Sequence, residues 1–331
     1  MRNVYPVPRN PCNHRPVVNH QKPVTSKMEV CMHQPTVAIS PQSSRQERRK
    51  LFLEVMTYLS PIIIIVVVFV FAPLTIILFY SFLKSGLYGE IIYTFSLDNF
   101  RALFGGGYGK VFLQSIYLAF QTNFFCILIG YPIAYYIATY GGRWKALLLF
   151  LVIVPSWASY LIRLYALKTI IGSKGIVNSV LLSLDIISAP LEILYTPFAV
   201  MIGLVYAWLP YMILPIYAAI EGLDSSVLEA ATDLGATPAR RFFRVTLPLT
   251  KGGLLAGSIL VFIPTVGEWL VPQLFGGSKV MMAGSLVALK FTSVGNIPEG
   301  SSLAIMLAAT LILILYLTIK WGGREAIERM L

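Results

Sequence analysis

Glu229 to Pro248, EAATDLGATPARRFFRVTLP, is a polar, turn-bearing island in a chain that otherwise reads as successive apolar runs. Ser226, Val227, Leu228 and Glu229 have the spacing of a capping box, in which the Ser226 hydroxyl accepts from the Glu229 backbone N–H and the Glu229 carboxylate reaches back to that of Ser226. A helix is expected to start there. Gly235 suits the left-handed position after a helix end, Thr237 can cap a second helix, and Pro238 fits that helix's first position. The segment 223–250 therefore predicts helix, sharp turn, helix. Arg240, Arg241 and Arg244 make the second helix basic, Phe242, Phe243, Val245 and Leu247 give it an apolar side, and Pro248 is expected to end it. Asp233 is placed to bond Arg240 or Arg241 within the island, or to face a partner.

Outside the island the composition belongs to a polytopic membrane protein. Hydrophobic residues make up 56 %, charged residues 12 %, and the mean hydropathy is +0.73, too little polar material for a water-facing surface. Six stretches are long and apolar enough to cross a bilayer: about Tyr58 to Phe82, Val111 to Tyr140, Ala146 to Leu167, Pro197 to Ile220, Gly253 to Leu274 and Ser302 to Trp321. The net charge of +11 sits in short clusters beside these runs, not along one interleaved basic face, so it reads as a topology signal and not as a nucleic-acid surface. Arg45, Arg48, Arg49 and Lys50 precede the first run, Arg143 and Lys145 lie between the second and third, the island's arginines lie between the fourth and fifth, and Lys320, Arg324 and Arg329 follow the last. Six spans put all four clusters on one side, which the positive-inside rule assigns to the cytoplasm, with both termini. The opposite side receives about 83–110, 168–196 and 275–301, expected to shape an external vestibule.

Residues 1–50 are polar and Pro-rich and read as a disordered tail, or as sequence upstream of a true start at Met28 or Met32. The tail has no signal-peptide core. Its Cys12/His14 and Cys31/His33 pairs fit no standard zinc spacing, and Cys126 lies mid-span, so neither a metal site nor a disulfide framework is expected.

The island resembles the cytoplasmic EAA loop of ABC importer permeases. Glu229, Ala230, Ala231, Gly235, Leu247 and Pro248 stand at the family's spacing, between the fourth and fifth spans where the family has it. The resemblance continues through Pro155 to Trp157 and Leu161 to Tyr165, through Gly203 to Tyr206 with Leu209 and Pro210, and through Gly267, Glu268, Gly276 and Gly277. There it is similar to spermidine/putrescine permeases of the PotB and PotH type. It implies an all-α, six-span, type I importer permease fold over 51–331, in a bacterial inner (plasma) membrane. It also implies coupling of Glu229, Ala230, Ala231, Asp233, Gly235, Ala236, Thr237, Pro238, Arg240 and Arg241 to an ATPase. The implied partners are two ATPase subunits carrying ATP and magnesium, a second permease subunit and an extracytoplasmic binding protein that delivers substrate.

This chain has no Gly-x4-Gly-Lys-Ser/Thr, since Gly276 to Lys279 and Gly172 to Gly175 lack its first glycine and its hydroxyl, so it needs no cofactor of its own and is not expected to be an enzyme. Glu268 falls within the fifth run, where an uncompensated carboxylate is costly. It either faces a cavity that takes a cationic substrate, with Trp269, Trp208, Tyr211 and Trp157 as aromatic faces, or pairs with a basic residue, or caps a broken helix near Pro264. Arg163 either meets a partner or snorkels to the interface. The EAA loop is shared by permeases for sulfate, molybdate and iron complexes, and a self-sufficient secondary transporter remains the alternative without it.

Overall fold

The computed structural model describes residues 55–86, 90–105 and 107–322. The polar tail, with its Cys–His pairs and basic cluster, lies outside the described residues, as do Arg324 and Arg329.

Four helices are long and apolar enough to cross a membrane: Val55–Ser81, Tyr108–Tyr140, Pro197–Glu221 and Ile297–Lys320. Two further crossings are bent pairs, Gly142–Trp157 with Tyr160–Ser183 at 97° and Pro238–Leu249 with Lys251–Val266 at 64°. Counting each pair as one span gives the expected six. In chain order, Gly142–Trp157 with Tyr160–Ser183 is the third span, Pro197–Glu221 the fourth and Lys251–Val266 the fifth.

Where each helix sits follows from its polarity. The first span has a mean hydropathy of 3.3 and the last 2.5, and they are the least buried, at 0 % and 11 % of those windows. The second and fourth, at 1.5 and 1.9, are 33 % and 44 % buried and form the centre with Lys251–Val266. Small residues let these helices approach closely, as expected where lipid supplies no hydrophobic drive between spans. A Cβ on Gly253 would lie 2.4 Å from Ala219 Cβ and 2.5 Å from the Pro215 carbonyl oxygen. Met212, Ile213, Ile216, Cys126, Ala134 and Val261 fill this contact, while Leu164, Leu204, Val271 and Phe275 fill a second core layer.

The third and fifth runs are not continuous helices. Lys145–Trp157 stops at Ala158, whose ψ of 149° is extended, and the chain resumes at Tyr160–Ile171 in a new direction. Lys251–Val266 stops at Gly267, and a π-helical turn, Pro272–Gly276, follows. Apolarity had carried both runs across breaks that backbone conformation, not hydropathy, determines. Prolines mark other irregularities: π-helical turns at Val67–Phe71 and Phe242–Thr246 stand just ahead of Pro73 and Pro248, whose rings displace the carbonyl four residues back. Pro248 therefore does not end the island's second helix, which runs Pro238–Leu249 and breaks at Thr250.

Of the segments expected outside, the first contains a short antiparallel hairpin, Leu83–Ser85 with Ile91–Phe95. The second is tied by buried Asn178, whose Nδ2 donates to the Gly172 and Leu191 carbonyls at 3.0 Å each and whose Oδ1 accepts from Leu191 N–H at 2.7 Å. The third carries the helix Ala283–Thr292, where Lys290 pairs with Glu299 at 2.8 Å.

Candidate functional site

Two places collect the residues singled out above. The first is the island. Its opening helix, Ser225–Asp233, is capped by Asp224, which accepts from Ser226 N–H at 2.9 Å. Ser226 is thus inside the helix, and the expected capping box with Glu229 does not form: a carboxylate two residues earlier takes the cap and gains a longer helix. The helix ends in a paired closure, Ala236 N–H to the Ala231 carbonyl at 3.1 Å and Gly235 N–H to that of Thr232 at 2.9 Å. This closure needs a left-handed residue, and Gly235 has a φ of +77°. Thr237 then caps Pro238–Arg241, accepting from Arg240 N–H at 3.4 Å.

Asp233 forms no ion pair with either arginine. Arg241 donates instead to Thr232 Oγ1 at 3.1 Å, and the ion pairs among the described residues are Lys145–Glu221 and Lys290–Glu299. Glu229, Asp233 and Arg241 line a cleft of about 470 Å³ with Tyr135, Thr139 and Ile220 of the second and fourth spans. Ala230, Thr237, Pro238 and Arg240 are exposed, and Ala231 and Ala236 are half-buried.

The island grips the spans through Phe242. Its ring meets Tyr131 at 5.5 Å and Tyr135 at 5.3 Å, both edge to face. Tyr131 also hydrogen-bonds Thr250 at 2.7 Å, at the break between the island and the fifth span. From that break Lys251–Val266 runs 16 residues, about 24 Å at helical rise, to the second place.

That place is a cavity of about 450 Å³ between the two helix breaks, within the size range of small-molecule sites. Ser156, Ala158, Tyr160 and Arg163 line it from the third span, Trp208 and Tyr211 from the fourth, and Pro264, Gly267, Glu268 and Trp269 from the fifth. Glu268 is 7 % exposed. Its Oε1 accepts from the N–H groups of Trp269 and Leu270 at 3.1 and 3.0 Å, and its Oε2 accepts from the Tyr160 hydroxyl at 2.7 Å. The carboxylate caps the turn after the broken helix, as one of the expected alternatives had it, and also lines the cavity. Trp208 stands 5.5 Å from Tyr211 and 6.5 Å from Tyr160, centroid to centroid.

Ser156 Oγ, Arg163 Nε and Trp208 Nε1, each lining this cavity, are buried without a hydrogen-bond partner. Trp157 does not join them: it is 74 % exposed and packs edge to face on Phe150. At the break, neighbouring residues point apart.

Residues 127–321 match the family described as binding-protein-dependent transport system inner membrane component. The chain belongs to that family. The permease is 43 % identical over 250 residues to the spermidine/putrescine transport system permease protein PotB of Haemophilus influenzae, covering 75 % of this chain and 87 % of that one. It is 40 % identical over 263 residues to PotB of Escherichia coli K12, covering 80 % and 95 %. Among solved structures it resembles a bacterial ABC transporter that imports the acidic polysaccharide alginate, with a TM-score of 0.62 at 16 % identity over 85 % of this chain and 98 % of that one. That likeness establishes the permease fold.

Two residues of the permease were not singled out from sequence. Tyr160 holds Glu268 across 108 positions of chain, a bond that no local pattern announces. Leu234, at the tip of the island, is 89 % exposed. An apolar side chain offered to water beside a capped turn was the available signal.

Proposed function

We propose that this permease is one half of the membrane pore of an ABC importer for polyamines of the spermidine and putrescine class. The observation that carries the reading is the buried Glu268 carboxylate, held beside three aromatic side chains, Trp208, Tyr211 and Trp269, in a cavity between two broken spans. Ammonium groups are attracted both to a desolvated carboxylate and to aromatic faces. The relatives named for spermidine and putrescine support the same class. Sulfate or molybdate would meet Glu268 as a like charge.

The second permease subunit closes the pore, two ATPase subunits bind ATP and magnesium, and an external binding protein delivers substrate. Both termini and the island face the cytoplasm. Residues 223–250 seat on an ATPase subunit, with exposed Leu234 and the turn through Gly235 to Arg241 as the contact. Movement there passes by two routes. Phe242 pushes between Tyr131 and Tyr135 of the second span, and the Thr250 break levers Lys251–Val266, whose far end carries Gly267 and Glu268. Closure of the ATPase pair thus reorients the substrate cavity.

Glu268→Gln tests the reading, because it keeps the shape and removes the charge. Spermidine uptake by the reconstituted complex should fall about 10- to 100-fold, the worth of a charged hydrogen bond, with assembly unchanged. Equal uptake by mutant and wild type would remove Glu268 from the substrate path.

A further inference from the structure

Arg163 is 9 % exposed, its Nε has no hydrogen-bond partner, and it belongs to neither ion pair found among the described residues. A guanidinium taken out of water is costly unless something nearby compensates it. What stands beside it is a ring: its Cζ lies 5.7 Å from the Tyr160 centroid. The hydroxyl of that ring is the one that donates to Glu268 Oε2 at 2.7 Å. A phenol bonded to a carboxylate is polarised by it, which enriches the ring and strengthens its hold on a cation. Cation, ring and anion therefore stand in sequence along one wall, and Arg163 and Glu268 are the charged side chains that line this cavity.

Resting on the reading that Glu268 meets the substrate, we infer that Arg163 is the resident counter-cation of Glu268, acting through the Tyr160 ring, and sets how tightly the cavity holds an incoming ammonium group. A translocation site must attract its substrate and then release it. A bare buried carboxylate would bind an ammonium group too firmly to let go. Arg163 offsets part of that charge from the face of the ring whose hydroxyl bonds the carboxylate. Arg163 lines the same cavity, and its role there is to set charge, not to bond the substrate.

The test is equilibrium binding of radiolabelled spermidine to the solubilised complex without its binding protein, together with turnover in proteoliposomes. Arg163→Gln should tighten binding about three- to tenfold, the range of a partly desolvated cation–π contact, and slow turnover. In a Glu268→Gln background the gain should be clearly smaller, because only direct repulsion remains and the part routed through the Tyr160–Glu268 bond is gone. Arg163→Lys, which keeps the charge, should bind as wild type does. Should Arg163→Gln fail to assemble, Arg163→Met, which keeps the length of the side chain without its charge, carries the test, again with and without Glu268→Gln. Two results overturn the inference: weaker or unchanged binding in Arg163→Gln, or an equal gain with and without Glu268, which would mean simple repulsion between Arg163 and substrate. If Glu268→Gln alone binds spermidine as wild type does, the reading of the site fails first. A change there with no coupling to Arg163 sinks only the inference.

Discussion

Gly284→Ala should damage the Glu268 cavity although Gly284 does not itself line it. A Cβ at Gly284 would stand 2.0 Å from the Gly267 carbonyl oxygen, 2.5 Å from its carbon and 2.8 Å from the Glu268 carbonyl oxygen. Unstrained contacts need about 3.5 Å, so the Gly267–Glu268 backbone must retreat by more than about 1 Å. The obstacles are main-chain atoms at a helix end, not a flexible side chain that can swing away. Overpacking of this kind costs about 1–3 kcal/mol. The same shift pulls Glu268 from Tyr160, now 2.7 Å away, and a hydrogen bond to a charged group is worth about 1.5–3 kcal/mol. If half of that bond is recovered by relaxation, the total is about 3 kcal/mol. The assay is thermal unfolding of the purified complex beside uptake, with Gly252→Ala as control, since a Cβ there meets nothing within 4 Å. Gly284→Ala should melt about 4 °C lower and lose at least about tenfold in spermidine uptake. Should it melt and transport as the Gly252→Ala control does, the close approach that positions Glu268 is not what organises the site.

Gly235→Pro should abolish ATP-driven uptake while leaving the melting of the spans unchanged, because proline cannot reach a φ of +77°; Gly235→Asn, which tolerates that region, should retain more activity than Gly235→Ala. The backbone N–H of Ser226 holds the Asp224 carboxyl below the usual carboxylate range. With the folded value depressed, the capping contribution is whole above the unfolded pKa and is lost as pH falls through the folded one, so helix Ser225–Asp233 should become susceptible to an acid protease below about pH 4, and Asp224→Asn should show no such dependence. Asn178→Leu strands the Leu191 N–H and two carbonyls at about 1–3 kcal/mol per buried group, which should appear as faster hydrogen exchange around Leu191 with the second and fourth spans unaffected.

Hydropathy located the spans because a bilayer demands about 20 apolar residues whatever the sequence around them. It could not locate the breaks at Ala158 and Gly267, since a broken run keeps its apolarity. Both breaks are where the cavity forms: they free the backbone that Glu268 caps and turn Tyr160 and Arg163 inward. Glu268 was legible as an expensive carboxylate, and Trp208, Tyr211 and Trp269 as its company, but Trp157 was not separable from them by sequence distance. In the island, Gly235, Thr237 and Pro238 each have one conformational use and were read correctly. The first cap was misread because Asp224 and Ser226 are comparable caps, and the choice rests on which start gives the longer helix. The Tyr160–Glu268 bond joins spans far apart in the chain, and only folding brings its partners together.

The most direct measurement of the central claim is a cryo-electron microscopy structure of the assembled transporter trapped during turnover with spermidine. Elongated density against the Glu268 carboxylate, flanked by Trp208, Tyr211 and Trp269, is the predicted result. Substrate density elsewhere in the pore, with this cavity empty and Glu268 still bound only to Tyr160 and its own turn, would contradict it.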